Sequence, residues 1–133
     1  MAKVLESLPE ERRKQMEMVI AASLKVRVNI DKTVEDGEVL PYCGGITVIF
    51  TPGHTPGHIC LYLNESKTLI SGDALNVIDH QLVGPTPEFA ADIVVAKKSL
   101  TKLIQYDIET VICYHGGVYN DHVNQRLQEL VYE

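Results

Sequence analysis

Apolar residues in this chain fall into short runs punctuated by glycine, proline and small polar residues, and the period of those runs changes along it. Ser7-Leu8-Pro9-Glu10 predicts a helix start, with Ser7 as cap, Pro9 in the first turn and Glu10 completing a Ser-x-x-Glu box. The helix should reach Leu24, with Met16, Val19, Ile20 and Leu24 on one apolar stripe and Glu10 to Lys14 on a solvated face. Val26 to Ile30 alternates and predicts a strand. After the Asp36-Gly37 turn, Glu38 to Leu40 is a short strand, and Pro41 to Gly45 turns the chain again. Ile46 to Phe50, His58 to Leu63 and Thr68 to Ser71 are strands, the last two joined by the polar turn Asn64 to Lys67. This order predicts an antiparallel meander.

Asn76 to Pro87 is mixed in character and broken by Gly84-Pro85 and Thr86-Pro87, which predicts a loop lining a substrate mouth or merely connecting, with His80 exposed in it. A helix follows from Ala91 to Gln105. Ile93, Ala96, Leu100, Leu103 and Ile104 line its buried face, and Lys97, Lys98 and Lys102 point out. Thr110 to Tyr114 is a strand with Tyr114 expected in the core. Asn120 or Asp121 should cap a last helix through Leu130. The whole predicts one α/β domain over residues 1–133, with one mixed sheet of five or six strands and three helices. No internal repeat or low-complexity segment interrupts it.

The stiffest point is Thr51-Pro52-Gly53-His54-Thr55-Pro56-Gly57-His58, where two Pro-Gly pairs lock a turn between two apolar runs. A turn so constrained fixes a side chain, and His54 is the natural one, because imidazole is both a common metal ligand and a neutral-pH proton carrier. Leu69-Ile70-Ser71-Gly72-Asp73 ends a second run on an acid. Val111 to Gly117 ends a third on His115 followed by two glycines, which either let backbone pass close to a metal or substrate or turn the chain into the last helix. His54, Asp73 and His115 thus each stand just past a strand, where open α/β folds collect their chemistry.

Net charge is −6, from 12 basic and 18 acidic residues, which argues against a nucleic-acid partner. No apolar stretch approaches a membrane span, and the charged N-terminus is unlike a signal peptide, so a cytoplasmic location away from membranes is expected. The three cysteines lack disulfide-framework spacing. Cys60 and Cys113 lie inside apolar runs and read as buried, reduced thiols.

Pro-Gly-His-Thr-Pro-Gly-His, then Ser-Gly-Asp, then a strand ending in His-Gly-Gly, resembles the metallo-β-lactamase-fold hydrolases, most closely the glyoxalase II-like branch. The likeness runs from about Asp31 to the C-terminus, and more loosely back to the start. It implies the C-terminal portion of an αβ/βα sandwich. It also implies that His54 ligates a first metal, Asp73 bridges two, and His115 ligates the second, with zinc, manganese or iron as the ion. His58 reads as a histidine that orients the turn from behind these ligands. The implied reaction is hydrolysis of an ester, thioester, lactone or amide by a metal-bound hydroxide. The family signature His-x-His-x-Asp-His does not occur among these residues, so the site is expected to be incomplete alone. The alternatives are a non-catalytic, self-associating metal-binding fragment and one half of a split enzyme. The expected partners are a small-molecule substrate in the complete form, and either a second copy or a chain supplying the missing half.

Overall fold

The computed structural model describes residues 5–6, 8–26 and 28–133. The chain divides into two compact units, residues 1–33 and 34–133. The first contains helix α1, Glu10–Lys25. Ser7, the expected cap, lies outside the described residues. The residue at the cap position is Pro9, which makes no side-chain cap bond. The expected apolar stripe is not buried, since Met16, Val19 and Leu24 are all exposed. The described residues of Val26 to Ile30 form no strand either. Alternation favours a strand only where a neighbour completes its backbone hydrogen bonds, and this stretch has no ladder partner.

The second unit holds a six-stranded sheet in the order β1-β2-β3-β4-β7-β8. The strands are β1 Val39–Leu40, β2 Ile46–Phe50, β3 Ile59–Leu63, β4 Thr68–Gly72, β7 Thr110–Cys113 and β8 Gly117–Tyr119. β1 to β4 form the predicted meander, but β4 and β7 pair in parallel, so the sheet is mixed. The crossover between them carries a separate two-stranded hairpin, β5 Asn76–Ile78 with β6 Gln81–Val83, and helix α2, Ile93–Leu103. The sequence pattern predicts a loop where that hairpin stands. Its turn is Asp79-His80, both at positive φ, the two-residue arrangement that matches strand twist and usually recruits Asn-Gly or Asp-Gly. With histidine in the second place the hairpin signal is muted.

Register places the two faces of the sheet. Tyr62, Leu69, Val111 and Tyr119 are successive cross-strand partners and share one face. They join Leu100 and Leu103 of α2 and Val123 and Leu127 of helix α3, Val123–Tyr132, in a single core cluster. The opposite row is Val48, Leu61, Ile70, Ile112 and Val118. α2 is capped by Asp92, whose Oδ1 accepts from Val95 N at 3.0 Å, while α3 is preceded by His122 in the left-handed region and not by an Asn120 or Asp121 cap. The two glycines after His115 do not lead straight into that helix, because Gly117 opens β8 against β7. Among the described residues no helix is long and apolar enough to cross a membrane.

Candidate functional site

Three loops on the same edge of the second unit bring His54, Asp73 and His115 together. His54 sits in the β2–β3 turn, closed at its base by Thr51 N donating to His58 O at 2.9 Å. Asp73 follows β4 at a break in the β4–β7 register. His115 stands at the centre of the three-residue β7–β8 hairpin loop. Asp73 lies between the two histidines. Its Oδ2 is 3.3 Å from His54 Nε2, and its Oδ1 is 3.2 Å from His115 Nε2. His115 is the most open of the three, with 78% of its side chain exposed against 24% for Asp73.

The spacing bears on metal binding. Nitrogen at about 2.05 Å and oxygen at about 2.1 Å from one tetrahedral ion lie about 3.4 Å apart. The two Asp73–histidine separations are close to that value, so each carboxylate oxygen and its histidine have the separation of two ligands on one ion. The donors also have suitable chemistry, imidazole nitrogen and carboxylate oxygen. That gives two donors at each of two positions. Among the described residues no three His, Cys, Asp or Glu side chains converge on one point.

His58 lies behind Asp73 and hydrogen-bonds its backbone. Asp73 N donates to its Nε2 at 3.1 Å, so that nitrogen carries a lone pair. The proton then resides on Nδ1, which donates to Thr51 Oγ1 at 2.9 Å. The Thr51 hydroxyl is left to donate to Cys60 Sγ at 3.3 Å, and the thiol donates to Ser71 O at 3.4 Å. A directed chain of hydrogen bonds thus runs from the backbone of Asp73 into the core. Burial holds the His58 imidazole below its ordinary pKa, and the neighbouring His54 adds to the effect. Burial also pushes the Cys60 thiol up to about 12, so it remains protonated and able to donate. Gly72 makes the approach feasible. Its φ is +55°, and a Cβ there would lie 2.7 Å from His58 Nε2.

A cavity of about 400 Å³ opens beside the cluster. His54, Asp73 and His115 line one side of it, and Val77, Ile78, Pro85 and Phe89 supply apolar wall. The sequence does not disclose this wall, beyond marking Asn76 to Pro87 as a loop that either lines a substrate mouth or merely connects. Nor does it disclose Thr51 as the partner of His58, the only signal being its place at the base of the turn. Tyr114, expected in the core, is 70% exposed. It lies in the hairpin loop beyond the last β7 residue, so strand alternation does not extend to it.

Comparison with known proteins identifies the family. The family model for the metallo-beta-lactamase superfamily matches residues 3–115. A probable metallo-hydrolase of Bacillus subtilis is 31% identical over 71% of this chain and 39% of its own length. A hydroxyacylglutathione hydrolase of Rhizobium meliloti is 37% identical over 68% of this chain and 33% of its own length. The chain therefore spans well under half the length of either relative. Among solved structures, a metallo-beta-lactamase family protein from Thermus thermophilus superposes with a TM-score of 0.60 at 29% identity, covering 78% of this chain and 35% of that one. A second solved structure, of a protein in a di-iron-bound form, gives 0.56 at 25% identity, covering 77% of this chain and 51% of that one.

Proposed function

Since the chain belongs to the metallo-beta-lactamase superfamily, we propose that its second unit carries part of a metal-dependent hydrolytic centre, with His54, Asp73 and His115 as metal ligands and Asp73 bridging. The observation that carries this reading is the Asp73 carboxylate, which offers one oxygen to each histidine at near ligand–ligand spacing. Zinc, manganese or iron suits these donors, and one relative was solved with two irons. A divalent ion held there would supply a Lewis acid and lower the pKa of water toward neutrality. The chain's own contribution is positional. The Pro-Gly turn fixes His54, and the His58 chain fixes the backbone of Asp73. The substrate is an ester, thioester, lactone or amide. Hydrolysis adds hydroxyl to the acyl carbon, breaks its bond to oxygen, sulfur or nitrogen, and leaves a proton on that atom.

Two protein donors per ion fall one short of the three usual at a catalytic zinc. These 133 residues are therefore expected to bind well under two zinc per chain, and to lose them in His54→Ala and Asp73→Ala, as elemental analysis would read. Alone with added zinc or manganese they should turn over thioesters and lactones little if at all. Activity should appear when a segment carrying His-x-His-x-Asp-His is supplied, fused or in trans. The decisive assay sets the chain beside its His115→Ala variant. Enzyme-like turnover by the unsupplemented chain, abolished by the substitution, would show that it builds a complete centre by itself.

A further inference from the structure

Helix α2 lies along the turn that carries His54, and it holds that turn by its carbonyls. From the end of β2 onward, four of them accept hydrogen bonds from α2 or from the residues that lead into it. Lys102 Nζ donates to Phe50 O at 2.8 Å, and Ser99 Oγ donates to Pro52 O at 2.7 Å. Asp92 N donates to Gly53 O at 2.9 Å, and Ala91 N donates to His54 O at 3.2 Å. Pro52 and Pro56 have no N–H to offer, so the anchoring falls to carbonyls.

Gly53 makes that anchoring necessary. The Pro-Gly pairs stiffen the turn, yet Gly53 is a soft joint directly before His54, because glycine takes positive and negative φ at little steric cost. Its φ is +135°, and a Cβ there would run into the backbone of Ala96, so α2 approaches as closely as glycine permits. The peptide unit is planar, so holding its carbonyl orients the whole plane. Ser99 holds the plane before Gly53, and Asp92 N holds the plane after it. Together they set both torsions of the joint.

Of these four donors Ser99 is the one buried side chain, standing on the face of α2 that also carries Ala96, Leu100 and Leu103. Serine is a poorer helix former than alanine, and inside a helix its hydroxyl commonly turns back onto its own backbone. Thr101 does so on the same helix, donating to Lys98 O at 2.7 Å. Ser99 instead reaches a residue 47 positions earlier in the chain. We propose that Ser99 is a positioning residue for His54, its hydroxyl acting through Pro52 to set the imidazole against Asp73. The proposal rests on the reading of His54 as a metal ligand, and adds α2 to the parts that place it.

The test sets the 133-residue chain beside Ser99→Ala and Leu127→Val. Leu127 is buried in the same core on α3, so its truncation lowers stability without removing a bond to the turn. In amide hydrogen exchange of the metal-free chain, Ser99→Ala should speed Ala91 and Asp92 roughly fivefold beyond any change at Leu69 and Val111 in the sheet. Leu127→Val should speed Ala91 and Asp92 no more than Leu69 and Val111. In zinc titration Ser99→Ala should weaken binding about tenfold, while Leu127→Val leaves it nearly unchanged. Ala91 and Asp92 moving only as Leu69 and Val111 do in Ser99→Ala would overturn the proposal. Zinc affinity that is unchanged in Ser99→Ala, or that falls equally in both variants, would overturn it as well. A wild-type chain that takes up no zinc sinks the hydrolytic reading, and exchange at Ala91 and Asp92 then decides by itself whether Ser99 holds the turn.

Discussion

At the scale of single residues, His58 decides more than its distance from the chemistry suggests. It accepts from Asp73 N and donates to Thr51, so removing it strands a donor and an acceptor in a half-buried place. His58→Ala should cost about 1–3 kcal/mol in urea denaturation. Its effect on metal should be of similar size, since partners that orient a ligand typically change affinity by about 10–100-fold. His58→Gln should recover part of both, because its amide oxygen can accept from Asp73 N. Zinc affinity unchanged in His58→Ala would remove His58 from any positioning role. Burial separates the thiols. Cys60 and Cys113 are buried and Cys43 is exposed. One thiol of the three should react quickly with an aromatic disulfide reagent in the native state, and all three in denaturant. Residue types were legible in the sequence at His54, Asp73, His115 and His58, because turn chemistry marks where a strand stops. Thr51 was not, because a threonine at a strand end carries no signal until its neighbours are known.

At the scale of elements, local pattern worked where an alternating or helical run was long enough to show its period and found a partner, and failed where strands were short, the turn was unusual or no ladder partner existed among the described residues. The meander strands and α2 emerged nearly where alternation and helical period put them. The β5–β6 hairpin did not, because its turn uses Asp79-His80 and its strands are only three residues each. Val26 to Ile30 alternates as well as any true strand, yet its described residues have no ladder partner. One element junction carries a pH signature. Asp36 accepts from Lys102 Nζ at 2.7 Å and from Phe50 N at 2.7 Å, tying the turn before β1 to α2 and to the end of β2. The Lys102 ammonium, with the Phe50 amide, holds the Asp36 carboxyl below its ordinary value of 3.8. A carboxyl with a lowered folded-state pKa contributes stability that is present above the unfolded value and lost as pH falls through the folded one. Asp36→Asn should therefore unfold at lower urea than wild type at pH 7. The difference should shrink as the buffer is taken below the unfolded-state value. A gap independent of pH would mean that packing, not the ionised carboxylate, holds the junction.

At the scale of the whole molecule, the sheet of the second unit is informative on both faces. Strands alternate, so a sheet covered on one side shows a polar second row. Here the second row is Val48, Leu61, Ile70, Ile112 and Val118, apolar throughout, and Ile112 and Val118 are 39% and 60% exposed. An all-apolar row with exposed members is the composition of a sheet layered on both faces. Exposed apolar surface of this kind drives association. We expect the 133-residue chain to form dimers or larger species at micromolar concentration. Val118→Lys and Ile112→Lys place a charge on that row without touching the cluster of His54, Asp73 and His115, and should shift the population toward monomer while leaving metal uptake unchanged. Sedimentation velocity reads the outcome. A single monomeric boundary at 14.8 kDa for the wild type, with cooperative thermal unfolding, would mean that this face is content in water and that the second row serves no interface.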